Sequence, residues 1–235
     1  MMNKLKDIKG GIRVLIQYLN INTLFFNFKY LPFSQAILLP VYISRKTHLK
    51  CVKGRIQIKS RLQPGMIRIG YGDVGIFDKH RSRTIWGVKG TVVFEGTAKI
   101  GHGARISVSS NSILSLGDNF ILNAESAIVC QKGISFGQNC LLSWDILIMD
   151  TDLHKIYDLD GNVSNYPVPV VVGNNVWIGC RSLILKGADI ADGCIVAANT
   201  TVSKKFHKTN MIVGGTPAAE RRQIKSWDHE GFSKF

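Results

Sequence analysis

Aliphatic side chains return at every sixth position between residues 172 and 202, and this period restricts the folds open to the chain. The row consists of Val172, Ile178, Ile184, Ile190, Val196 and Val202. A helix with 3.6 residues per turn cannot give a strict period of six, and neither can a strand that alternates every two residues. The period predicts short strands separated by corners, three to a triangular coil, which is the hexapeptide repeat of a parallel β-helix.

A second row consists of short side chains, each four residues after a member of the aliphatic row. Its members are Val176, Ser182, Ala188, Cys194 and Thr200. We expect them at the corners, where a long side chain would collide with the neighbouring coil. The repeat continues upstream with shifts in register through Phe94, Ile100, Ile106, Leu116, Leu122, Ile128, Phe136, Leu142 and Ile148. The short positions that accompany its first hexads are Ala98, Ala104 and Ser110.

One segment, residues 150–171, does not fit the repeat and is rich in Asp, Asn, Gly and Pro. It is too polar to line the inside of a prism, so we predict a loop extruded from one corner. A long loop on a rigid scaffold is usually functional or disordered. The predicted organisation is therefore a cap segment (1–60), the β-helix with its loop (61–203) and a C-terminal turn and tail (204–235).

The first segment has a helical pattern of its own. Leu5, Ile8, Ile12, Leu15 and Leu19 fall on one helical face, with lysines and an arginine largely off it. One interpretation is a helix that caps the open end of the coil and covers its strand edges. The alternative is a basic amphipathic helix in peripheral contact with the inner membrane.

The chain is long and apolar enough for one folded domain, with 235 residues of which 45% are hydrophobic. Its five cysteines form no CxxC pair and are expected to be reduced, which predicts a cytoplasmic protein. No signal peptide or membrane-spanning segment is expected. The net charge of +14 favours an anionic partner. Nucleic acid is not expected, because the sequence contains no recognisable binding module.

Three motifs occur in a fixed order: DTDLH at residues 150–154, NNVWIGC at 174–180 and VGGTPA at 213–218. Together with the hexads they resemble the hexapeptide-repeat acyltransferases, and more narrowly the sugar O-acetyltransferases of bacterial capsule and lipopolysaccharide synthesis. The resemblance implies a left-handed parallel β-helix and a homotrimer. It also implies acetyl-CoA as the acetyl donor and an active site at the interface between subunits.

The resemblance assigns the catalytic base to His154. Transfer of an acetyl group to a hydroxyl needs a base for the hydroxyl proton, and imidazole titrates near neutral pH. Asp152 could accept a hydrogen bond from the other ring nitrogen and fix the tautomer, or it could simply form a turn. Trp177, at an outward-pointing hexad position, is expected near the reacting thioester, where its indole N–H could steady the leaving group. Trp144 is a second candidate wall of the acceptor pocket.

The resemblance also assigns residues to the two substrates. Cys180 and Ala198 are expected along the pantetheine arm of coenzyme A. The cations and polar groups expected near its phosphates are Ser203, Lys204, Lys205 and Arg222. An arginine of the relatives falls on Ala219 here, which removes part of the usual phosphate contact. Asn123 is the candidate contact to the acceptor.

The sequence therefore predicts an acetyl-CoA-dependent O-acetyltransferase that modifies a sugar hydroxyl of a cell-surface glycan or its precursor, with acidic acceptors included. Direct attack in a ternary complex is expected, because no nucleophilic Ser or Cys accompanies His154 in its motif; Cys180 is the one candidate that would change this. The alternatives are an N-acetyltransferase of an amino sugar or xenobiotic, and a β-helix scaffold that has lost catalysis. The spaced histidines of a zinc site are missing, so no metal is predicted.

Overall fold

The computed structural model describes residues 18–229, and its strands form three sheets. Up to the last strand, each strand pairs in parallel with the strand three places further along the chain, so the chain visits the three sheets in turn and then starts again. This path closes a triangular coil with one sheet on each face of a prism. Of the amphipathic helix predicted for Leu5 to Leu19, only Tyr18 and Leu19 lie within the described residues.

The strands are grouped here by the face that they form. The first face contains β1 (Val41–Ile43), β4 (Ile67–Tyr71), β7 (Ala98–Gly101), β10 (Phe120–Leu122), β13 (Leu141–Leu142), β16 (Trp177–Ile178), β19 (Ile195–Val196), β22 (Met211–Gly214) and the antiparallel β23 (Ala219–Gln223). The second face contains β2 (His48–Val52), β5 (Ile85–Val88), β8 (Arg105–Val108), β11 (Ala127–Cys130), β14 (Leu147–Met149), β17 (Leu183–Ile184) and β20 (Thr201–Val202). The third face contains β3 (Arg55–Ile58), β6 (Thr91–Phe94), β9 (Ile113–Leu116), β12 (Gly133–Phe136), β15 (Val170–Val172), β18 (Asp189–Ile190) and β21 (Lys205–Phe206).

Both sequence rows after residue 171 point into the prism as predicted. The aliphatic side chains from Val172 to Val202 are at most 2% exposed, and the short side chains from Val176 to Thr200 are at most 1% exposed. A short polar side chain at a corner can also satisfy buried main-chain groups: the Ser182 hydroxyl donates to the carbonyl of Ala197 over 3.0 Å. The hexad pattern therefore predicts the packing of this region correctly.

One short position was assigned wrongly. Ser110 is exposed, and Ser112, which is 1% exposed, occupies the inner corner in its place. The corner contains extra residues, with Asn111 in the left-handed conformation at φ 63°, and the Ser112 hydroxyl donates to the carbonyl of Ser109 over 2.6 Å. This longer corner is the physical cause of the shift in register before Leu116.

The architecture is the predicted left-handed parallel β-helix with a helical segment at its N-terminal end. Its described strands begin at Val41, ahead of the predicted boundary at residue 60, and continue past residue 203 to Gln223. No helix within residues 18–229 is long and apolar enough to cross a membrane.

The helical segment consists of α1 (Ile21–Tyr30) and α2 (Phe33–Ala36). Asn20 begins α1, because its side-chain oxygen accepts hydrogen bonds from two main-chain N–H groups of the first turn, 3.0 and 3.3 Å away. Leu31, in an extended conformation before Pro32, ends it. The cap predicted from the sequence therefore includes a helix later in the chain than the one whose pattern suggested it.

Polar side chains of α1 satisfy the open edge of β1. Asn27 donates to the carbonyl of Val41 over 2.7 Å and accepts from its N–H over 3.2 Å. Thr23 exchanges the same pair of hydrogen bonds with Ile43. Phe26, fully buried, closes the end of the core. This contact removes an edge that would otherwise be free to pair with another strand.

The predicted loop leaves the coil between β14 and β15 and covers residues 150–169. Val170 and Val171 do not belong to it, since they pair with Ile134 and Ser135 in the third face. The loop departs from the vertex between the second and third faces, which we call the loop vertex. In a triangular prism this vertex lies opposite the first face.

Candidate active site

The base of the loop is fixed by Asp150, which has no exposed surface. Its carboxylate accepts hydrogen bonds from the main-chain N–H groups of Gln131, Lys132 and Gly133 at 2.7, 2.8 and 2.6 Å. Its main-chain carbonyl also accepts from the N–H of Val168 at the returning end of the loop, over 3.0 Å. Because three main-chain N–H groups hydrogen-bond the buried carboxylate, the loop leaves the coil from a rigid point.

The main chain at His154 is held from both sides. Its N–H donates to the carbonyl of Asp152 over 2.7 Å, and its carbonyl accepts from the side-chain amide of Asn165 over 2.9 Å. Leu153, before it, has a left-handed backbone at φ 64°. The imidazole is exposed and, within residues 18–229, makes no hydrogen bond. The loop therefore presents a free imidazole on a fixed main chain.

Asp152 holds the loop to the coil, and it does not contact the His154 ring. Its carboxylate forms an ion pair with Lys186, one coil further along the loop vertex, and accepts from Asn165 over 2.8 Å. The Lys186 ammonium group, followed by the Asn165 amide, lowers the pKa of the Asp152 carboxyl below its ordinary value. Of the two roles that the sequence left open for Asp152, the hydrogen bond to imidazole does not occur among the described residues.

Trp177 lies on the first face with its indole outward and 37% exposed. The indole N–H donates to the hydroxyl of Ser143 over 3.1 Å. The C-terminal tail runs beside it, with the Trp227 ring 6.0 Å from the Trp177 ring and the Trp227 N–H donating to the carbonyl of Asn175. The indole N–H therefore already has an acceptor. It could donate to a leaving group only after giving up its hydrogen bond to Ser143.

Within one chain the fold keeps His154 and Trp177 apart. The His154 loop leaves the loop vertex, whereas Trp177 lies on the opposite face of the prism. Of the predicted catalytic residues, only Asp152 and His154 belong to one cluster in this chain.

The predicted pantetheine contacts share a second vertex, between the first and second faces. Cys180 and Ala198 occupy equivalent positions in successive coils, and Trp144 occupies the same position one coil earlier. Asn123 lies one position before this stack, two coils before Cys180. Cys180 is half-buried and Ala198 is exposed, so short side chains leave the edge of the first face open. The structure thus aligns these four predicted residues along one edge.

The predicted phosphate contacts fall into two groups. Ser203 and Lys204 form the last corner at the loop vertex, and Lys205 begins the strand that follows on the third face. Arg222 lies on the first face, in one outward row with Trp177 that runs through Ile195 and Ile212. Lys204 and Arg222 are therefore separated in the same way as His154 and Trp177.

Two thiols are poor candidates for a nucleophile. Burial raises the pKa of Cys130 to about 12 and that of Cys140 to about 11. All five cysteines are free, and Cys180 is the half-buried one on the edge of the first face. Among residues 18–229, no group of three His, Cys, Asp or Glu side chains is arranged to hold a metal ion.

Sequence reasoning missed Asp150, Asn165 and Lys186, which together position the loop. Asp150 was visible as the first residue of DTDLH, but its burial could not be inferred from a polar segment. Asn165 and Lys186 are 11 and 32 residues from His154, and only the folded loop brings them to Asp152 and His154.

The hexapeptide repeat of this coil is similar to that of bacterial transferases. The family model for bacterial transferase hexapeptide, with six repeats, matches residues 169–204. The galactoside O-acetyltransferase of Escherichia coli (strain K12) is 29% identical over 126 residues, which are 54% of this chain and 62% of the relative. A polysialic acid O-acetyltransferase of Neisseria meningitidis is 41% identical over 66 residues, which are 28% of this chain and 31% of the relative.

A solved structure of a polysialic acid O-acetyltransferase covers 83% of this chain and 90% of that one, with 22% identity and a TM-score of 0.51. This match supports the fold. The chain spans less than two thirds of the length of the galactoside and polysialic acid relatives. The comparisons confirm the resemblance of this chain to hexapeptide-repeat acyltransferases, and to sugar O-acetyltransferases among them.

Proposed function

We propose that this protein is an acetyl-CoA-dependent O-acetyltransferase that modifies a sugar hydroxyl of a cell-surface glycan or its precursor. One observation carries the proposal: the loop holds the main chain of His154 from both sides and leaves its imidazole exposed and without a hydrogen bond. The names of the O-acetyltransferase relatives support the class of reaction and the class of acceptor.

The active site is built between two copies of the chain in a homotrimer. His154 and Lys204 belong to the loop vertex, and Trp177 and Arg222 belong to the opposite face, so one chain alone completes neither pair. A head-to-tail ring places the loop vertex of one copy against the first face of the next and completes both pairs at once. Three equivalent sites then form around the ring.

Acetyl-CoA lies along this interface with its thioester near His154 and Trp177. The pantetheine arm follows the edge formed by Cys180 and Ala198, where short side chains leave room. The phosphates lie further along the coil axis, near Lys204 and Lys205 of one copy and Arg222 of the next. Three strand spacings separate Trp177 from Arg222, about 14 Å at about 4.8 Å each, so a long extended arm is required.

The reaction is a direct transfer in a ternary complex. A ring nitrogen of His154 takes the proton of the acceptor hydroxyl as its oxygen attacks the thioester carbonyl carbon. The tetrahedral intermediate collapses, the carbon–sulfur bond breaks, and the imidazolium returns the proton to the departing thiolate. Asp152 acts indirectly, because its ion pair with Lys186 fixes the loop.

The acceptor binds on the N-terminal side of the thioester, with Trp144 and Asn123 along the same edge. Capsular and lipopolysaccharide chains and their precursors fit this assignment, and acidic chains fit the net charge of +14. Because all five cysteines are free, we place the reaction in the cytoplasm.

The helical cap offers a contact to the inner membrane. Its exposed apolar side chains are Ile21, Leu24, Phe25, Phe28, Phe33, Ile37 and Leu38. Ile21 and Phe33 are 78% and 73% exposed, and Lys29 lies in the last turn of α1. Such a surface on a basic protein fits an anionic lipid interface. Sedimentation with vesicles containing anionic lipid tests this contact: Phe28→Ser with Phe33→Ser should lower the bound fraction, and an equal bound fraction would contradict it.

Radiolabelled acetyl-CoA with a panel of neutral and acidic oligosaccharides tests the proposed reaction. We expect label on the sugar that hydroxylamine removes, as it does from an ester. His154→Ala should lower turnover by about two to four orders of magnitude with little change in coenzyme A binding. Label that resists hydroxylamine would identify an amide and the N-acetyltransferase alternative. Binding of coenzyme A without transfer to any acceptor would identify the inactive scaffold.

A further inference from the structure

A cavity of about 430 Å³ opens near the N-terminal end of the coil, away from the loop. Its walls are the turn at residues 44–46, the end of β4 at residues 70–72, and residues 79, 80 and 82, and His102 also lines it. We call it the basic cavity. Three of its lining residues are Arg or Lys and two are His, and none of the lining residues described is acidic.

His102 is unusual among the histidines of the chain. It is 4% exposed, and within residues 18–229 neither of its ring nitrogens has a hydrogen-bond partner. Burial lowers the pKa of His102, while the nearby carboxylates of Glu125 and Asp73 oppose that shift. A buried polar group without a partner is costly, so most such groups in native proteins have one. His102 therefore stands in the wall of the basic cavity with two ring nitrogens that make no hydrogen bond to any residue described.

The walls of the basic cavity are already braced. The Lys46 ammonium group donates to the main-chain carbonyls of Lys79 and His80 at 3.1 and 2.7 Å. The Ser82 hydroxyl donates to Glu125 over 2.6 Å, which ties the loop after β4 to the coil. A site whose walls are fixed before binding loses little conformational entropy when a ligand enters.

The nearby carboxylates have cationic partners of their own. Asp73 forms an ion pair with Lys79, and Glu125 forms one with Arg105 at 2.6 Å. The lining of the basic cavity itself contains three Arg or Lys side chains and, among the lining residues described, no acidic one. The electrostatics of the basic cavity therefore favour an anion.

An aromatic ring is next to these cations. Tyr71 lines the basic cavity and also a second cavity of about 330 Å³, which continues past Arg68 and Lys99 to Asn123. A phenol ring offers an apolar face that suits the C–H surface of a pyranose, and it can hydrogen-bond at its edge. An aromatic platform beside cations suits an acidic sugar chain better than a small inorganic ion.

The two cavities lie on the edge where the acceptor is expected. His102 is aligned in successive coils with Ala124, Trp144 and Cys180. Three strand spacings separate His102 from Cys180, about 14 Å along the coil. The span from the basic cavity to the reacting thioester is thus that of a short oligosaccharide.

We propose that the basic cavity binds a carboxylate or phosphate group of the acceptor glycan, a short distance along the chain from the sugar that is acetylated. The inference rests on the proposed function for the position of the acetylated sugar, but the binding of the anion does not depend on turnover. It makes the protein selective for acidic glycans through residues remote from His154.

Binding of three probes to the full-length protein tests the proposal by titration calorimetry. The probes are a galacturonic acid trimer, inorganic pyrophosphate and neutral maltotriose. The trimer should bind and should weaken as salt is added, and maltotriose should bind at least tenfold more weakly. Displacement of the trimer by pyrophosphate at equal concentration would assign the site to a phosphate of the acceptor, and no displacement would assign it to a carboxylate.

Lys79→Gln should weaken binding of the trimer about fivefold, because one cation is removed from the wall. Lys59→Gln is the matched control, since Lys59 is also an exposed lysine in an ion pair, with Glu95, on another part of the coil. His102→Phe keeps the buried volume, removes both ring nitrogens and should weaken binding about tenfold. If thermal unfolding shows that His102→Phe does not fold, the comparison of Lys79→Gln with Lys59→Gln tests the proposal without it.

The inference would be overturned if Lys79→Gln and Lys59→Gln lost equal affinity for the trimer, or if neither the trimer nor pyrophosphate bound. Acetyl transfer to sugars would still be expected in either case. Binding of the trimer with no acetyl transfer to any acceptor would overturn the proposed function instead. The two failures are therefore distinguishable.

Discussion

The side-chain amide of Asn165 donates a hydrogen bond to the main-chain carbonyl of His154, with 2.9 Å between nitrogen and oxygen. The same amide nitrogen lies 2.8 Å from Asp152, and the Asn165 side-chain oxygen accepts from the N–H of Ile156 over 2.7 Å. One side chain thus holds the Asp152 carboxylate and the main chain at His154 and Ile156. It acts as a positioning residue for the proposed base.

Asn165→Ala should lower kcat about tenfold to a hundredfold and leave the KM for acetyl-CoA nearly unchanged, because a misplaced base slows the chemical step. Asn162→Ala at the exposed tip of the loop is the control and should retain activity. Steady-state kinetics at saturating acetyl-CoA measure both variants. Equal rates for the two variants would show that Asn165 does not position His154.

Asp150→Ala should destabilise the protein by about 3–5 kcal/mol, because three buried N–H groups lose a charged acceptor. Asp150→Asn keeps one acceptor oxygen and should cost less. Asp160→Ala, exposed in the same loop, should stay within about 0.5 kcal/mol of the wild type. Urea unfolding at one fixed protein concentration measures the difference, and a loss below 1 kcal/mol for Asp150→Ala would refute its role at the loop base.

Arg222→Gln or Lys204→Gln should raise the KM for acetyl-CoA more than it lowers kcat. Phosphates far from the thioester are held alike in the ground and transition states, so their loss affects binding. Lys205→Gln should behave in the same way. The effect of each change should be modest and should shrink with added salt. Arg55→Gln, exposed on the third face, is the control. A rise confined to the KM of the acceptor would assign these cations to the glycan.

Alkylation of the cysteines at pH 8 should distinguish the edge of the first face from the core. At that pH the Cys130 thiol should stay protonated and react very slowly, because burial raises its pKa to about 12. Half-buried Cys180 and Cys51 should react faster. Saturating acetyl-CoA should protect Cys180 and leave Cys51 unchanged, as peptide mass spectrometry would show. Equal labelling of Cys180 with and without acetyl-CoA would show that the pantetheine arm does not lie along Cys180.

The hexads predict the interior of the coil because one period of six residues forms one side of the triangular coil. Ile178 and Ile184 are buried for the reason that the sequence suggests, since each sixth residue meets the prism axis. The period does not predict the extra residues around Asn111. A longer corner costs little free energy and leaves the next strand in register with its neighbours.

The site is less predictable because its parts are set by contacts between distant segments. The DTDLH motif locates His154 in the loop. Its separation from Trp177 depends on which vertex of the prism the loop leaves, and the hexads cannot show this because the repeat is interrupted there. His102 reads as one more corner residue between two glycines. Only the fold shows that its ring is buried without a partner beside a cluster of cations.

The central claim is that each active site takes His154 from one copy of the chain and Trp177 from the next. Co-expression of His154→Ala with Trp177→Ala, each inactive alone and carrying different tags, tests it directly in purified mixed oligomers. Each mixed trimer then contains one intact pair among its three sites, so acetyl transfer should return to about a third of wild type. Activity no greater than that of the two separate variants would contradict a site shared between copies.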